Sequence, residues 1–160
     1  MMMSKNIFTD ARNLGISGGL LSIISVFLPW YSASASAMGF TSSISVNGLG
    51  WKSGEGMLLG LASGNANYEF QGIGVLALGI AGILTSALLK DRLQYLAMIV
   101  CGILIIGGGI KNLQSIESFS GNFMGATMKS GVGYGIYIVL IGGTVVAAGG
   151  LLKWRELAAK

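Results

Sequence analysis

Histidine is absent from this 160-residue chain, cysteine and proline occur once each, at Cys101 and Pro29, and charged residues make up only 10%. Each shortage excludes something. Nucleophilic catalysis needs a base beside the nucleophile, so a Ser-His-Asp or Cys-His relay is impossible here. A zinc site needs several cysteine or histidine ligands, which are missing. One cysteine cannot form an internal disulfide. With no cationic neighbour in sequence to activate it, Cys101 reads as a small packed residue. The low charge also argues against a soluble domain, which normally carries about 25% charged residues. A small soluble domain buries only about two-thirds of its surface. It could not hide the 52% of hydrophobic residues found here.

Long apolar runs are present instead. Residues 14–30, 72–89, 93–110 and 132–152 contain no Asp, Glu, Lys or Arg. Each approaches the roughly 20 residues that cross a hydrocarbon core of about 30 Å. In lipid every backbone polar group must be satisfied internally, which selects helices for such segments. The expected fold is an all-α membrane protein: one domain, 1–160, with a four-transmembrane-helix bundle and outer loops at 31–71 and 111–131. Residues 14–30, preceded by Lys5 and Arg12 and followed by Ala33-Ser34-Ala35, also resemble a cleavable signal peptide. Cleavage would leave three helices. The run is at the long end for such a signal, so a retained first helix is expected.

Basic residues set the orientation. Lys5, Arg12, Lys90, Arg92, Lys153, Arg155 and Lys160 fall on one side, and Lys52, Lys111 and Lys129 on the other. The positive-inside rule places both termini in the cytoplasm, in a cell membrane. Trp30, Tyr31, Tyr68, Phe70 and Tyr134 then mark the outer interface, and Tyr95 and Trp154 the inner one. The net charge of +4 is scattered rather than gathered into a patch, so nucleic acid is not an expected partner.

The first outer loop is too long to be structureless in a compact domain. Its start, YSASASAMGFTSSISVNGLGW, alternates serine with small or apolar residues, and Asn47-Gly48 is a hairpin turn signal. Two or three short strands between residues 31 and 51, making a small extracytoplasmic β-hairpin, are expected. A short surface helix is expected over 54–62 and another, amphipathic, within 111–131. Glu55, Glu69 and Glu117 share the outer side, where a cation site is conceivable and plain solvation is the simpler reading. Val132-Gly133-Tyr134-Gly135 matches four residues of the potassium-channel filter, but Gly135 runs straight into Ile136-Tyr137-Ile138. Close helix approach is the better account.

Charged residues are missing from the spans, which disfavours a pump or proton relay. Ser17, Ser22, Ser25, Thr85, Ser86, Cys101 and Thr144 are among the small polar residues there. Small residues four apart, such as Gly15 and Gly19, Ala77 and Ala81, Gly82 and Ser86, or Gly143 and Ala147, allow close helix packing. In the last run Gly142 and Gly149, and Gly143 and Gly150, lie on nearly one face. That stripe serves packing within the bundle or lateral contact with another protein.

The layout of four helices, a strand-bearing first outer loop, a three-residue inner link and a smaller second outer loop resembles the claudin-like four-helix membrane proteins. Trp30 and Gly48-Leu49-Gly50-Trp51 are similar to that family's loop motif, without its paired cysteines. Leu28-Pro29-Trp30 and Gly131-Val132-Gly133-Tyr134 are also similar to small prokaryotic four-helix membrane proteins of uncharacterised activity. Such a resemblance implies layout and no chemistry. The expected function is non-enzymatic, with no catalytic, cofactor or metal residues. The chain would act in the lipid bilayer by self-association or by binding another membrane protein. The expected contact residues are Trp30, Phe40, Leu49, Trp51, Gly142, Gly143, Gly149 and Gly150. The alternative is a small channel or transporter subunit. A pore would gather Ser22, Ser25, Thr85, Ser86 and Thr144 around a wet axis, whereas a contact protein would satisfy them within the bundle.

Overall fold

The computed structural model describes residues 10–55, 71–89, 91–116, 118–123 and 125–158. In chain order the elements are α1 (Ala11–Phe27), β1 (Pro29–Ala37), β2 (Phe40–Asn47), β3 (Lys52–Glu55), α2 (Gln71–Leu88), α3 (Asp91–Ser115), β4 (Phe119–Phe123), β5 (Ala126–Val132) and α4 (Tyr134–Ala158). The four helices form a bundle in which α1 packs on α2 and α4, and α3 packs on the same two. Three of them, α2, α3 and α4, are long and apolar enough to cross a membrane. Helix α1 has 17 residues, about 25 Å at 1.5 Å per residue.

Close packing depends on glycine at three of the four helix contacts, those of α1 with α2, α1 with α4 and α3 with α4. A Cβ on Gly18 would lie 2.7 Å from the Gly142 carbonyl oxygen, and one on Gly19 would lie 2.8 Å from that of Gly79. Between α3 and α4, Gly102 sits against Gly143 and Ala147. Dispersion across backbones this near needs hydrogen in place of a side chain. Val26, Trp30, Val75, Ile105, Ile136 and Val139 fill the core at the sheet end, and Met98, Cys101 and Val146 fill the other half. Ala77, read as half of a packing pair, is exposed.

All five strands join one antiparallel sheet in the order β3-β2-β1-β5-β4. This is larger than the expected hairpin, and it draws on both long connections rather than the first alone. The reason lies at β1, which pairs β2 on one edge and β5 on the other. An edge strand left open exposes a row of unpaired backbone groups. The expected amphipathic helix within 111–131 is therefore not found. Helix α3 continues to Ser115, after which β4 and β5 form a hairpin turning at Gly125 (φ 80). Of the surface helix expected over 54–62, Gly54 and Glu55 belong to β3, and 56–62 lie outside the described residues. Tyr68, Glu69, Phe70, Lys90 and Glu117 also lie outside them.

The tight two-residue turn is Met38-Gly39, with φ of 50 and 82. Two consecutive positive φ values match the twist of the flanking strands. Asn47-Gly48 does begin a turn, but a longer one. The Asn47 Oδ1 accepts from the amides of Leu49 (3.0 Å) and Trp51 (2.9 Å), and Gly50 carries the positive φ of 78. Helix α1 also ends earlier than the apolar run suggested. Pro29 and Trp30 are already strand, because Pro29 removes a backbone donor and pushes Leu28 into extended geometry.

Sheet and bundle are joined by short links. Only Leu28 separates α1 from β1, and only Gly133 separates β5 from α4. The Gly48 amide donates to Val26 O (2.9 Å) and the Gly133 amide to Trp30 O (2.7 Å). These bonds fix a root for the sheet at the end of the bundle. The Met38-Gly39 and Gly125 turns lie at the opposite tip, about 25 Å away for strands rising about 3.3 Å per residue.

Candidate functional site

Directly opposed residues of an antiparallel ladder share a face. The registers therefore sort the sheet into two unlike sides. On one side Ser32, Ser34 and Ser36 of β1 oppose Ser45, Ser43 and Thr41 of β2, and Gly131, Lys129 and Thr127 of β5. Ser53 and Glu55 of β3 extend two of these rows, and Ser120 and Asn122 of β4 extend two on the far edge. The result is a grid of hydroxyls, with rows about 7 Å apart along the strands and neighbours about 4.8 Å apart across them. It lines a concavity of about 570 Å³. One row reads Glu55, Ser43, Ser34, Lys129, Ser120, so its only charges are opposite, one on the β3 edge and one on β5.

The other side is mainly apolar, with Lys52, Ser42 and Ser130 as its polar members. Ile44 and Val46 are buried near the root. Towards the tip, Ala35 opposes Met128, and Ala37 opposes Phe40. There the apolar surface is bare: Phe40 is 81% exposed and Met38, in the turn, 96%.

Two further clefts flank the bundle. At the junction with the sheet, Tyr31, Asn47, Gln71, Lys111, Asn112 and Ser115 line about 420 Å³. Asn112 Nδ2 donates to Gln71 Oε1 (3.0 Å) and to Gly108 O (2.7 Å), tying α3 to the start of α2. At the far end, Asp10, Arg12, Gln94 and Lys153 line about 210 Å³. There Gln94 is buried and its Nε2 donates to Ser86 O (2.9 Å), and Tyr95 stacks on Trp154 at 5.9 Å. Among the described residues no three of His, Cys, Asp and Glu come together as metal ligands would.

The expected contact residues do not form one patch. Trp30 is 5% exposed. Its Nε1 donates to Ser25 O (2.8 Å), and its ring is held between Gly48 and Gly135. It is a plug between sheet and bundle, not an outward anchor. Trp51 is 65% exposed and lies against Phe27 at 6.4 Å. It sits at the root with the half-buried Leu49, while Phe40 sits at the tip. The glycine stripe of α4 also turns inward. Gly142 and Gly149 abut α1, at Ser22 and Leu14, whereas Gly143 and Gly150 abut α3, at Ile105 and Ile99. The rotation per residue of a 3.6-fold helix puts neighbouring glycines on two different partners. All four are buried within the chain, so they present no surface to another protein.

The helix hydroxyls are bonded inside their own helices. Ser22 donates to Gly18 O (2.9 Å), Ser25 to Ser22 O (2.6 Å), Thr85 to Gly82 O (3.0 Å), Ser86 to Gly82 O (2.6 Å) and Thr144 to Leu140 O (2.7 Å). Among the described residues no buried side-chain polar atom lacks a partner. The hydroxyl grid is the feature that sequence reasoning passed over. Its signal in the sequence is the Ser-Ala-Ser-Ala-Ser alternation over residues 32–36, which marks a strand and also puts every serine on one face. No family model matches the chain, and no curated protein matches its sequence.

Proposed function

We propose that this chain is an integral membrane protein of the cell membrane whose four helices all cross the bilayer, with both termini cytoplasmic and the sheet outside. We further propose that it is not an enzyme, and that it acts through protein contacts made by the sheet, in a layout of the claudin-like kind. The distribution of basic residues supports the orientation. The stacked Tyr95 and Trp154 then fall at the inner interface, and Phe27 with Trp51 at the outer one.

The observation that carries the contact reading is the bare apolar half of the sheet at its tip. Met38 and Phe40 stand there almost wholly exposed beside Met128. Apolar groups gathered at a point remote from both core and bilayer cost hydration free energy until something covers them. The self-contained hydrogen bonds of Ser22, Ser25, Thr85, Ser86 and Thr144 favour this reading over a pore, whose lining must offer polar groups to the solute. The covering partner is another membrane protein or a second copy.

The test is gentle extraction after crosslinking in the native membrane, comparing wild type with Met38→Ser/Phe40→Ser. Recovery of a defined neighbour that the double variant loses supports the reading. A neighbour retained unchanged by the variant overturns the tip as the contact. Solute flux through vesicles holding the wild-type chain with no associated neighbour would replace the reading with the channel one.

A further inference from the structure

The hydroxyl face is an unusual way to meet water. Solvated sheet faces ordinarily carry long charged side chains. Here four adjoining strands present serine, threonine and glycine, with one cation and one anion. Ser32, Ser34, Ser36, Ser43, Lys129 and Glu55 make no side-chain bond among the described residues. Serine loses little rotamer freedom on ordering, and a face of such short side chains lets a second backbone come close.

The charges decide what that second surface is. Glu55 and Lys129 share one cross-strand row, on β3 and β5, with Ser120 of β4 lying beyond Lys129. They are three strand spacings apart, about 14 Å. A two-fold axis laid over this face, parallel to the strands and between β1 and β2, exchanges β3 with β5 and β2 with β1, and leaves β4 of each copy outside the overlap. It sets Glu55 of one copy over the partner's Lys129, and Ser34 over the partner's Ser43. A two-fold perpendicular to the strands would instead stack like on like. The axis along the strands also maps root onto root, so both bundles stay on the same side and fit one membrane.

We propose that the hydroxyl face pairs with the same face of a second copy in the same membrane, through two Glu55–Lys129 ion pairs that flank a patch of water-bridged serines. The proposal rests on the contact reading above but uses the opposite side of the sheet. The patch is small, so confinement of both copies to one membrane, which raises their effective concentration, is part of the design. Bridging waters serve nearly as well as direct hydrogen bonds across such a gap.

The test uses the full chain in vesicles. Differently tagged copies carrying Ser34→Cys and Ser43→Cys are mixed and treated with a short bifunctional thiol crosslinker, with the wild type, whose one thiol is the buried Cys101, as control. Ser34→Cys is expected to couple to Ser43→Cys of the other copy, while Ala35→Cys, on the opposite face, stays uncoupled. Glu55→Lys or Lys129→Glu, introduced alone, is expected to cut coupling at least about threefold, in line with two partly exposed ion pairs turned repulsive. Mixing Glu55→Lys copies with Lys129→Glu copies restores both pairs and should restore coupling. Coupling that ignores these charges, or that is as strong at Ala35→Cys, overturns the proposal. Absent coupling with a neighbour still captured through Met38 and Phe40 overturns it and leaves the contact reading standing. Absence of both removes the two together.

Discussion

Alanine in place of Gly102 and in place of Gly107 is the same chemical change on the same helix, yet the structure assigns the two opposite signs. At Gly102 the new Cβ would lie 2.6 Å from Ala147 N, 2.7 Å from Gly143 O and 2.8 Å from Ala147 Cβ. Two of these atoms are backbone, so no rotamer change can relieve the clash. Carbon–carbon contacts settle near 3.5–4.0 Å, so α3 and α4 must part by about 1 Å. That movement also loosens Gly143 against Ile105 and Gly150 against Ile99. Three contacts under 3 Å put the overpacking cost in the upper part of the usual range, about 2–3 kcal/mol, against which alanine recovers up to about 1 kcal/mol of helix propensity, leaving a net loss of about 1–2 kcal/mol. Gly107 has nothing within 4 Å of its Cβ position. There only the propensity term remains, and stability should rise by about 0.5–1 kcal/mol. Unfolding in detergent, followed by circular dichroism, reads both. A Gly102→Ala protein as stable as wild type, or two variants that shift the same way, would refute the packing described for this helix pair.

Four further outcomes follow from particular contacts. Trp30→Phe keeps the ring between Gly48 and Gly135 but loses the bond to Ser25 O, and should cost about 1 kcal/mol in the same unfolding assay. Trp30→Ala leaves a cavity at the joint and should cost about 3–5 kcal/mol. Met38 holds a positive φ that asparagine tolerates better, so Met38→Asn should raise stability by up to about 1 kcal/mol while weakening capture of the partner. A joint loss of both would contradict the separation of turn strain from contact. Ser22→Ala removes a hydroxyl that only duplicates a helix carbonyl's bonding, so thermal stability should change by less than about 1 kcal/mol and partner capture should stay unchanged. A large effect on solute flux would instead favour the pore.

Much of this protein was determined by its sequence alone. Four uncharged apolar runs on one chain, with almost no polar sequence to cover them, leave helices as the only economical structure. The serine alternation before Met38 reads as strand because side chains alternate faces with period two. What the sequence could not determine is partnership. The α4 glycines read as one stripe along the chain, but which neighbour each meets depends on how α1 and α3 are set around the bundle. Trp30 looked like an interface anchor because aromatic residues gather at such boundaries. Only the approach of Gly48 and Gly135 from distant parts of the chain makes it a plug. Strand pairing is likewise non-local. β5 lies nearly a hundred residues from β1, and nothing near Ala126 announces which edge it will find. The row from Glu55 to Lys129 arises only from that pairing. Local preference selects the elements, and long-range registry decides which side chains stand together.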